Sequence, residues 1–260
     1  MQNRNIITSS QNSHIKLLRN LSLKKYRQQT NKFAVENLAI IYDALRSGHD
    51  FQELFVTRDF IERHQDKFEY LQKTSQTDGY YMIDEALNKS YSQLDTPSGI
   101  TAIYPVRPAS FEEGKSVVYL NGVKDPGNIG TIMRTALAFN VPNIVLDSTC
   151  VDIYNFKSIN AARDSIFKLN ITEDESGTWL KQMKGILPIY AANSNEGVSL
   201  SEIKGPEIFC LVLGGESHGI SREIMELSDK IIRITISRQI ESLNVSCAAA
   251  VILYKLSGYN

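Results

Sequence analysis

The sequence lacks the features that mark several classes of protein. Its longest apolar run, near the C-terminus, is interrupted by Ser246, Tyr254 and Lys255, so no stretch is long enough to span a bilayer. The N-terminus has neither the apolar core nor the cleavage site of a signal peptide. The 3 cysteines are scattered and do not have the spacing of metal ligands. We therefore expect a cytoplasmic protein with reduced thiols, no membrane segment and no metal site.

Acidic residues are missing from the first part of the chain, although the net charge of the whole chain is only −1. From Met1 to Val35 there is no Asp or Glu. The basic residues of this segment are Arg4, Lys16, Arg19, Lys24, Lys25, Arg27 and Lys32. A segment of one charge sign is typical of a surface that binds a polyanion. The same pattern also fits an ordinary solvated helix, and the residues alone leave both interpretations open.

The order of predicted elements indicates two α/β domains. In the first domain we predict helices at 14–27, 38–46 and 59–73, strands at 33–35, 53–57 and 79–83, and a last edge strand at 100–104. Prolines and glycines then predict a linker over residues 105–114. The domains are accordingly 1–104 and 115–260. In the second, we predict strands at 117–120, 144–146, 169–171, 189–191, 209–213 and 231–236, with helices at 129–139, 156–166, 178–184, 222–227 and from 243. This alternation predicts a mainly parallel sheet with helices on both faces.

Two glycine-containing loops each follow a predicted strand of that sheet. The first is NGVKDPGNIG, residues 121–130, and the second is LGGESHG, residues 213–219. Ligand sites of open α/β sheets lie at the carboxyl ends of strands, so both loops are well placed. Neither is a Walker A loop or a G-x-G-x-x-G fingerprint. Arg134, one turn into the following helix, could clamp a phosphate or simply form a surface ion pair.

A third polar cluster lies in the stretch IIRITISRQIESLNVSCAAAVILYKL, residues 231–256. Ser242 and Asn244 precede an almost wholly apolar helix, and both residue types favour helix starts. Taken alone, the cluster fits the cap of a packing helix. It also lies after a predicted strand, so it could join the two glycine loops at one edge of the sheet.

The three segments together resemble the signature motifs of the SpoU (TrmH) family of RNA 2′-O-ribose methyltransferases. They read DPGNIGTIMRTALAF, LVLGGESHGIS and RITISRQIESLNVSCAAA, in the family's order and spacing, over residues 115–256. The segment KFAVENLAIIYDAL is similar to a motif of the family's ribosomal-RNA branch, in which a small RNA-binding domain precedes the catalytic domain. The resemblance implies a deep trefoil knot of the SPOUT type, S-adenosylmethionine as cofactor, ribosomal RNA as substrate, and a homodimer formed through the C-terminal helix.

The resemblance also assigns roles to individual residues. Gly214, Ile234 and Leu243 match positions that line the cofactor pocket. Arg134 matches the family's essential arginine, and the resemblance suggests the role of general base for it. A guanidinium stays protonated in proteins, so we expect it to hold a phosphate and stabilise the developing alkoxide.

The remaining polar positions match four other residues. We expect Asn128, Ser242 and Asn244 to orient the arginine and the ribose, and Glu216 to hold the arginine or a loop N–H. The candidate RNA-binding residues are Arg4, Lys16, Arg19, Lys24, Lys25 and Arg27.

Three residues depart from the family pattern. Thr235 stands where proline is usual, and Asp164 and Asn37 stand where glycine is usual.

Three alternatives to a ribosomal-RNA methyltransferase are a tRNA methyltransferase of the same family, a non-catalytic RNA-binding protein on the same fold, and a different nucleotide-dependent enzyme. The presence of Asn128, Arg134, Glu216 and Asn244 argues against a protein that only binds RNA. The absence of a G-x-G-x-x-G fingerprint argues against a different nucleotide-dependent enzyme.

Overall fold

The first part of the chain folds around a mixed sheet. The computed structural model describes residues 2–108, 110–216 and 218–258, with the backbone alone for residues 2–5. The elements of this part are β1 (Gln2–Ile7), α1 (Ser13–Asn20), α2 (Lys24–Thr30), β2 (Lys32–Val35), α3 (Leu38–Arg46), β3 (Glu53–Thr57), α4 (Arg58–Arg63), α5 (Gln65–Thr74), β4 (Gly79–Ile83), α6 (Glu85–Tyr91) and β5 (Ile100–Pro105). The strand order is β1-β4-β3-β5-β2, in which β1, β4 and β3 are parallel and β5 is antiparallel to both of its neighbours.

Several details of this part differ from the sequence-based prediction. Strand β1 and helix α6 were not predicted. Strand β5 lies between β3 and β2, so it is not an edge strand. The helix predicted over 14–27 is two helices, because the chain turns after α1, where the Ser22 hydroxyl donates to the Arg19 carbonyl at 2.8 Å. The helix predicted over 59–73 is likewise divided into α4 and α5, with His64 in a non-helical conformation between them.

The second part of the chain forms a parallel sheet. Its elements are β6 (Val117–Asn121), α7 (Pro126–Ala138), β7 (Asn143–Asp147), α8 (Phe156–Ala162), α9 (Ser165–Lys168), β8 (Asn170–Asp174), α10 (Trp179–Met183), β9 (Ile189–Ala192), β10 (Val198–Ser199), a 3-10 turn (Leu200–Glu202), β11 (Cys210–Gly214), α11 (Arg222–Leu227), β12 (Lys230–Arg233) and α12 (Val245–Leu256). Among the described residues, seven strands follow the order β10-β12-β9-β11-β6-β7-β8, and every pairing is parallel.

Both faces of the central strands are buried, which is why their sequences are continuously apolar. Val117, Tyr119 and Val212 pack in a cluster that includes side chains of α10 and α11. The alternate strand residues, such as Val118 and Leu120, are also buried, and α12 contacts both α7 and β11. The predicted α/β class with a mainly parallel sheet is therefore confirmed.

The helices begin where side chains supply hydrogen bonds to free backbone N–H groups. The Asp125 carboxylate accepts from the Asn128 N–H at 2.8 Å, and Pro126 occupies the first turn of α7. Asn244 caps α12 by accepting from the N–H groups of Ser246 and Cys247. Strand β12 ends at Arg233, before the predicted end at residue 236, and Ile234 and Ile236 instead line a cavity.

The chain divides into two compact units. The N-terminal unit comprises Met1–Arg107 and Tyr154–Phe167, and the C-terminal unit comprises Pro108–Ile153 and Lys168–Asn260. Residues 154–167, which contain α8, thus group with the first unit although they lie within the range predicted as the catalytic domain. The predicted domain and linker boundaries stay a prediction. No helix among the described residues is both long enough and apolar enough to cross a membrane.

Candidate active site

A cavity of about 580 Å³ lies at the carboxyl ends of β9, β11 and β12 in the C-terminal unit. Its walls include apolar side chains of the sheet and of α12, among them Leu213, Ile232 and Ile252. Its polar lining comes from the loops that follow these strands. This is the edge at which parallel sheets place their ligand sites, and the volume is within the usual range for small-molecule sites, roughly 300–1,000 Å³.

The structure brings the three candidate cofactor residues together. Gly214 ends β11, Ile234 follows β12, and Leu243 precedes α12, and all three line the cavity. Ser242, Asn244 and Glu216 line the same cavity. Six of the eight residues proposed for the catalytic and cofactor sites therefore share one space, although they come from three separate loops.

Asn128 is linked to this cavity through Glu216. The Asn128 side-chain amide donates a hydrogen bond to Glu216 Oε1, which joins the first turn of α7 to the loop after β11. Asn128 itself is held at the start of α7 by the Asp125 cap. The backbone of Asn128 is therefore held by Asp125 and its side chain by Glu216, which suits a residue that must orient another polar group.

Arg134 is the one candidate catalytic residue that the structure leaves apart from the others. It lies exposed on α7 and does not line the cavity. Within the described part of the chain, the guanidinium has no hydrogen bond or ion pair. Its exposed neighbours on the same helix are Thr131 and Ala138. Arg134 is thus separate from the cavity that gathers the other candidate residues.

The loop after β11 depends on two glycines for steric reasons. A Cβ atom at Gly214 would come within 3.0 Å of the Gly219 and Ile220 backbone, and one at Gly215 would come within 3.0 Å of the Gly122 carbonyl. The Gly215 N–H also donates to the Asn121 carbonyl at 2.9 Å. The two glycine loops predicted as site elements therefore pack backbone to backbone. Ser217, which belongs to the second loop, lies outside the described residues.

A carboxylate at the end of β7 supports both loops. Asp147 accepts from the Asn121 amide at 2.5 Å and from the Thr149 hydroxyl at 2.8 Å. Asn121 Oδ1 in turn accepts from the Ser221 N–H at 2.9 Å. Burial alone would raise the pKa of Asp147, but the hydrogen bonds it accepts outweigh burial and lower that pKa below 3.8. Asp147 is thus a charged anchor for the loop that carries Glu216.

The candidate RNA-binding residues in the N-terminal unit differ in exposure. Lys16 and Arg19 are exposed on α1, and Lys24 and Lys25 are exposed on α2. Arg27 is only 5% exposed and donates to the Leu21 carbonyl at 2.6 Å, so it is not part of an exposed basic face. The Arg4 side chain lies outside the described residues. In the described residues, no group of three or more His, Cys, Asp or Glu side chains is arranged to hold a metal ion.

Comparison with known proteins decides the family. The profile described as the SpoU rRNA methylase family matches residues 115–254, which is more than half of the chain. The chain belongs to the SpoU methylase family. A second profile, the MRM3-like substrate binding domain, matches residues 12–102. The predicted family, methyltransferase class and N-terminal substrate-binding domain are confirmed.

Individual SpoU-family relatives cover nearly the whole chain. A Bacillus subtilis protein named 23S rRNA (guanosine(2553)-2′-O)-methyltransferase RlmP is 28% identical over 253 residues, which are 97% of this chain and 99% of that protein. A Porphyromonas gingivalis structure assigned to the TrmH family of RNA methyltransferases is 26% identical, with a TM-score of 0.81, and the match covers 95% of this chain and 98% of that one. The AdoMet complex of AviRb from Streptomyces viridochromogenes, 20% identical, shares the fold with a TM-score of 0.84 and coverage of 95% and 97%.

Sequence reasoning missed part of the SpoU-family site. Asn193, Ser194 and Asn195 line the cavity from the loop after β9, and His218, which the sequence analysis did not assign to the site, lines it as well. The signal was present, because three polar residues come shortly after a predicted parallel strand. It was not specific, since polar residues also follow strands in ordinary turns.

Two of the three departures from the family pattern, Thr235 and Asn37, have local structural roles. The Thr235 hydroxyl is 3.1 Å from the Ser199 hydroxyl, which gives it a hydrogen-bond partner that proline could not have. Asn37 caps α3 and donates to Asn160 at 3.2 Å. Next to Asp164, it is Arg163 that takes a positive φ of 58°. None of the three departing residues lines the cavity.

Proposed function

We propose that this protein transfers a methyl group from S-adenosylmethionine to a ribose 2′-hydroxyl of ribosomal RNA. The cavity is the observation that carries the proposal, because it gathers Gly214, Ile234 and Leu243 with the polar residues expected for the chemistry. Membership of the SpoU family fixes the reaction class. The choice of ribosomal RNA rests on the relatives and on the substrate-binding domain, since the RlmP relative is named for 23S rRNA.

The residues of the cavity fit S-adenosylmethionine. Apolar side chains such as Ile232, Ile234 and Leu243 would hold the adenine, and backbone groups of the glycine loop would bind polar edges without a charged fingerprint. The Asn193 side-chain oxygen already accepts from the N–H groups of Asn195 and Glu196, so Asn193 offers its amide N–H₂ group, and Asn195 its whole amide, to the amino-acid end of the cofactor. When bound, the cofactor supplies a methyl group on an electrophilic sulfonium.

The remaining task for the protein is to align the ribose and manage the charge that develops on its 2′-oxygen. Asn128, held by Glu216, and Ser242 and Asn244 at the start of α12 supply polar groups near the cavity. A hydrogen-bond donor or cation close to the developing alkoxide lowers the barrier to its formation. Arg134 would supply that cation, with its positive charge permanently in place.

The exposed position of Arg134 supports a homodimer. Cys247, Val251 and Tyr254 form an exposed stripe along α12, and Val251 and Tyr254 are 44% and 47% exposed. Helix α12 packs against α7, which carries Arg134. A partner bound to this stripe would approach Arg134, so the arginine of one protomer could serve the cavity of the other. We expect the protein to form this dimer and to contain a trefoil knot at the cavity loops. We also expect a cytoplasmic location, in which the three free cysteines stay reduced.

Cofactor binding and methyl transfer test the proposal directly. Calorimetric titration with S-adenosylmethionine should show one site per chain, and Leu243→Asp should abolish it, because the new carboxylate would be buried against an apolar cofactor face. Ile240→Asp is the matched control, since Ile240 is 52% exposed and does not line the cavity. Radiolabelled methyl transfer to ribosomal RNA and to tRNA then identifies the substrate. Absence of cofactor binding at millimolar concentration would refute the proposal.

The exposed lysines of α2 test the role of the N-terminal unit. Reversing both charges with Lys24→Glu and Lys25→Glu should weaken RNA binding, and the slope of log affinity against log salt should fall by about 2 if each lysine contacts one phosphate. Lys67→Glu is the control, because Lys67 is an exposed lysine of α5. Equal effects of the control and the double variant would show that these lysines are only part of a solvated surface.

A further inference from the structure

The N-terminal unit contains a second cavity, of about 280 Å³, that the proposed methyl transfer does not use. Its lining combines Arg27, Glu36 and Tyr91 with Tyr154 and Phe156 and, at its mouth, the exposed Lys157. The first three residues belong to the range of the substrate-binding domain, and the last three belong to the range of the SpoU methylase profile. Residues 154–157 thus complete the lining of this cavity, and they group with the N-terminal unit.

Glu36 is the unusual residue of this cavity. The residue is only 6% exposed, and its Oε1 accepts from the Gln93 N–H at 3.0 Å. Its Oε2 is fully buried and has no hydrogen-bond partner among the described residues. An unpaired buried carboxylate oxygen is costly, and native proteins keep few such groups. Burial raises the pKa of Glu36, and the Gln93 N–H and Ser92 side chain partly oppose that shift.

The other lining groups indicate what would satisfy this oxygen. The Tyr91 hydroxyl already contacts Thr101 and Asn88, at 3.0 and 3.1 Å, so its aromatic ring is what it offers the cavity. Tyr154 and Phe156 are half-buried and give further aromatic surface at the opening. Arg27 and Lys157 place two positive charges against one carboxylate. The excess of positive charge disfavours a cationic ligand. It favours a ligand in which a flat neutral ring, able to stack on the aromatic side chains, is attached to a negatively charged chain.

We propose that this cavity binds an unpaired guanine base of the RNA substrate. Guanine presents two adjacent N–H donors on its Watson–Crick edge, and a carboxylate can accept both, since its two oxygens offer about four acceptor positions. Unpaired bases are commonly recognised by aromatic stacking and hydrogen bonds to that edge. Lys157 at the opening would contact the adjoining phosphate. The inference rests on RNA being the substrate, and it places a base-specific contact in the N-terminal unit, separate from the methylated nucleotide.

The experiment measures the affinity of the full chain for four short RNAs by fluorescence anisotropy. Each is a fluorescein-labelled heptamer of uridines in which the central nucleotide is guanosine, adenosine, cytidine or uridine. The guanosine probe should bind at least about fivefold more tightly than the others, which is the lower end of what a bidentate base contact contributes. Replacing guanosine by inosine, which lacks the 2-amino group, should remove part of that preference.

Variants locate the preference in this cavity. Glu36→Gln should abolish the difference in affinity between the guanosine and uridine probes, because an amide presents only one acceptor atom. Glu62→Gln, an exposed glutamate of α4, is the control and should keep the preference. Should Glu36→Gln not fold, as judged by circular dichroism, Phe156→Ala replaces it and should weaken binding of the guanosine probe through lost stacking.

Any one of several results would overturn the inference. They are equal affinity of the wild-type chain for all four probes, a guanosine preference that survives Glu36→Gln, and, where Phe156→Ala is used instead, guanosine affinity equal to wild type. Failure of every probe to bind would also overturn it. Methyl transfer to ribosomal RNA, measured in parallel, then shows whether the proposed function fails as well, since transfer with no guanosine preference refutes only the guanine site.

Discussion

The Asn128 side chain donates a hydrogen bond to the Glu216 carboxylate, and this contact joins two loops that are 88 residues apart in sequence. Asn128 opens α7 after β6, and Glu216 follows β11, the neighbouring strand of the sheet. Because both loops leave the same edge of parallel strands, residues distant in the chain become a single polar pair beside the cavity.

A double-mutant cycle tests whether Asn128 and Glu216 act as one unit. Asn128→Ala and Glu216→Ala should each lower kcat of methyl transfer by about 100-fold, the effect expected when a positioning contact is lost. The double variant should be little worse than either single variant, because both remove the same contact. The exposed pair Lys181–Glu223, 2.6 Å apart, is the control and should leave kcat unchanged when truncated. Losses that multiply in the double variant would contradict the shared role.

Replacing Gly214 by alanine should disturb the cofactor loop without altering any polar group. The added Cβ would come within 3.0 Å of the Gly219 and Ile220 backbone, so the loop must move. We expect a loss of about 1–3 kcal/mol in the free energy of unfolding, measured with urea, and weaker binding of S-adenosylmethionine. Gly48→Ala is the comparison, since Gly48 has a positive φ of 81° but no atom within 4 Å of an added Cβ. It should cost stability and keep cofactor affinity; unchanged affinity in Gly214→Ala would contradict the prediction.

The alternating pattern of helices and strands was enough to predict the parallel sheet, because its strands are buried on both faces and are therefore continuously apolar. Strand β1 was beyond that reasoning. Its sequence begins QNRN, and its strand conformation depends on parallel pairing with β4, residues 79–83, rather than on its own pattern. Local sequence carries no record of a partner so far along the chain.

The site was predictable only in part for the same reason. Gly214, Ile234 and Leu243 were identified through a family resemblance, and the cavity that they share is a product of tertiary folding. The cavity of the N-terminal unit was not foreseen, because Glu36 stood out only as one residue of the family-like segment KFAVENLAIIYDAL. Its burial, and its contact with Gln93, arise only when residues far apart in the chain come together.

The lowered pKa of Asp147 predicts a specific dependence of stability on pH. Its folded-state pKa lies below 3.8, so the unfolded chain takes up the proton first as the pH falls. The stabilising contribution is therefore complete well above 3.8 and is lost as the pH falls through the folded-state value. Asp147→Asn should be less stable than wild type at pH 7, because the new amide N–H₂ would face the Asn121 amide that now donates to Asp147.

The measurement for Asp147 is the free energy of unfolding at pH 7 and at successive values down to pH 3. The difference between wild type and Asp147→Asn should narrow as the pH falls. Glu226→Gln is the control, since Glu226 forms an exposed ion pair with Arg222 at 3.1 Å and should show little effect. A difference that stays constant with pH would mean that the charge of Asp147 does not stabilise the fold.

The α12 stripe predicts that dimerisation and activity depend on the same residues. Val251 lies in the middle of this stripe, between Cys247 and Tyr254. Val251→Lys places a charge there and should convert the dimer to a monomer in light-scattering measurements. Val198→Lys is the matched control, because Val198 is 42% exposed and Val251 is 44% exposed. The monomer should also lose methyl transfer while retaining its cofactor, since Arg134 of the partner would no longer reach the cavity.

Complementation between impaired variants separates this shared site from a merely stabilising dimer. Arg134→Ala and Glu216→Ala should each have strongly reduced activity alone, because each removes a different part of the site. Co-expressed, they form mixed dimers in which one cavity has its own Glu216 and the arginine of the partner, so activity should return in purified heterodimers. If Arg134 served the cavity of its own protomer, both sites of the mixed dimer would be defective and no activity would return. Restored transfer would therefore establish that the exposed arginine acts across the interface.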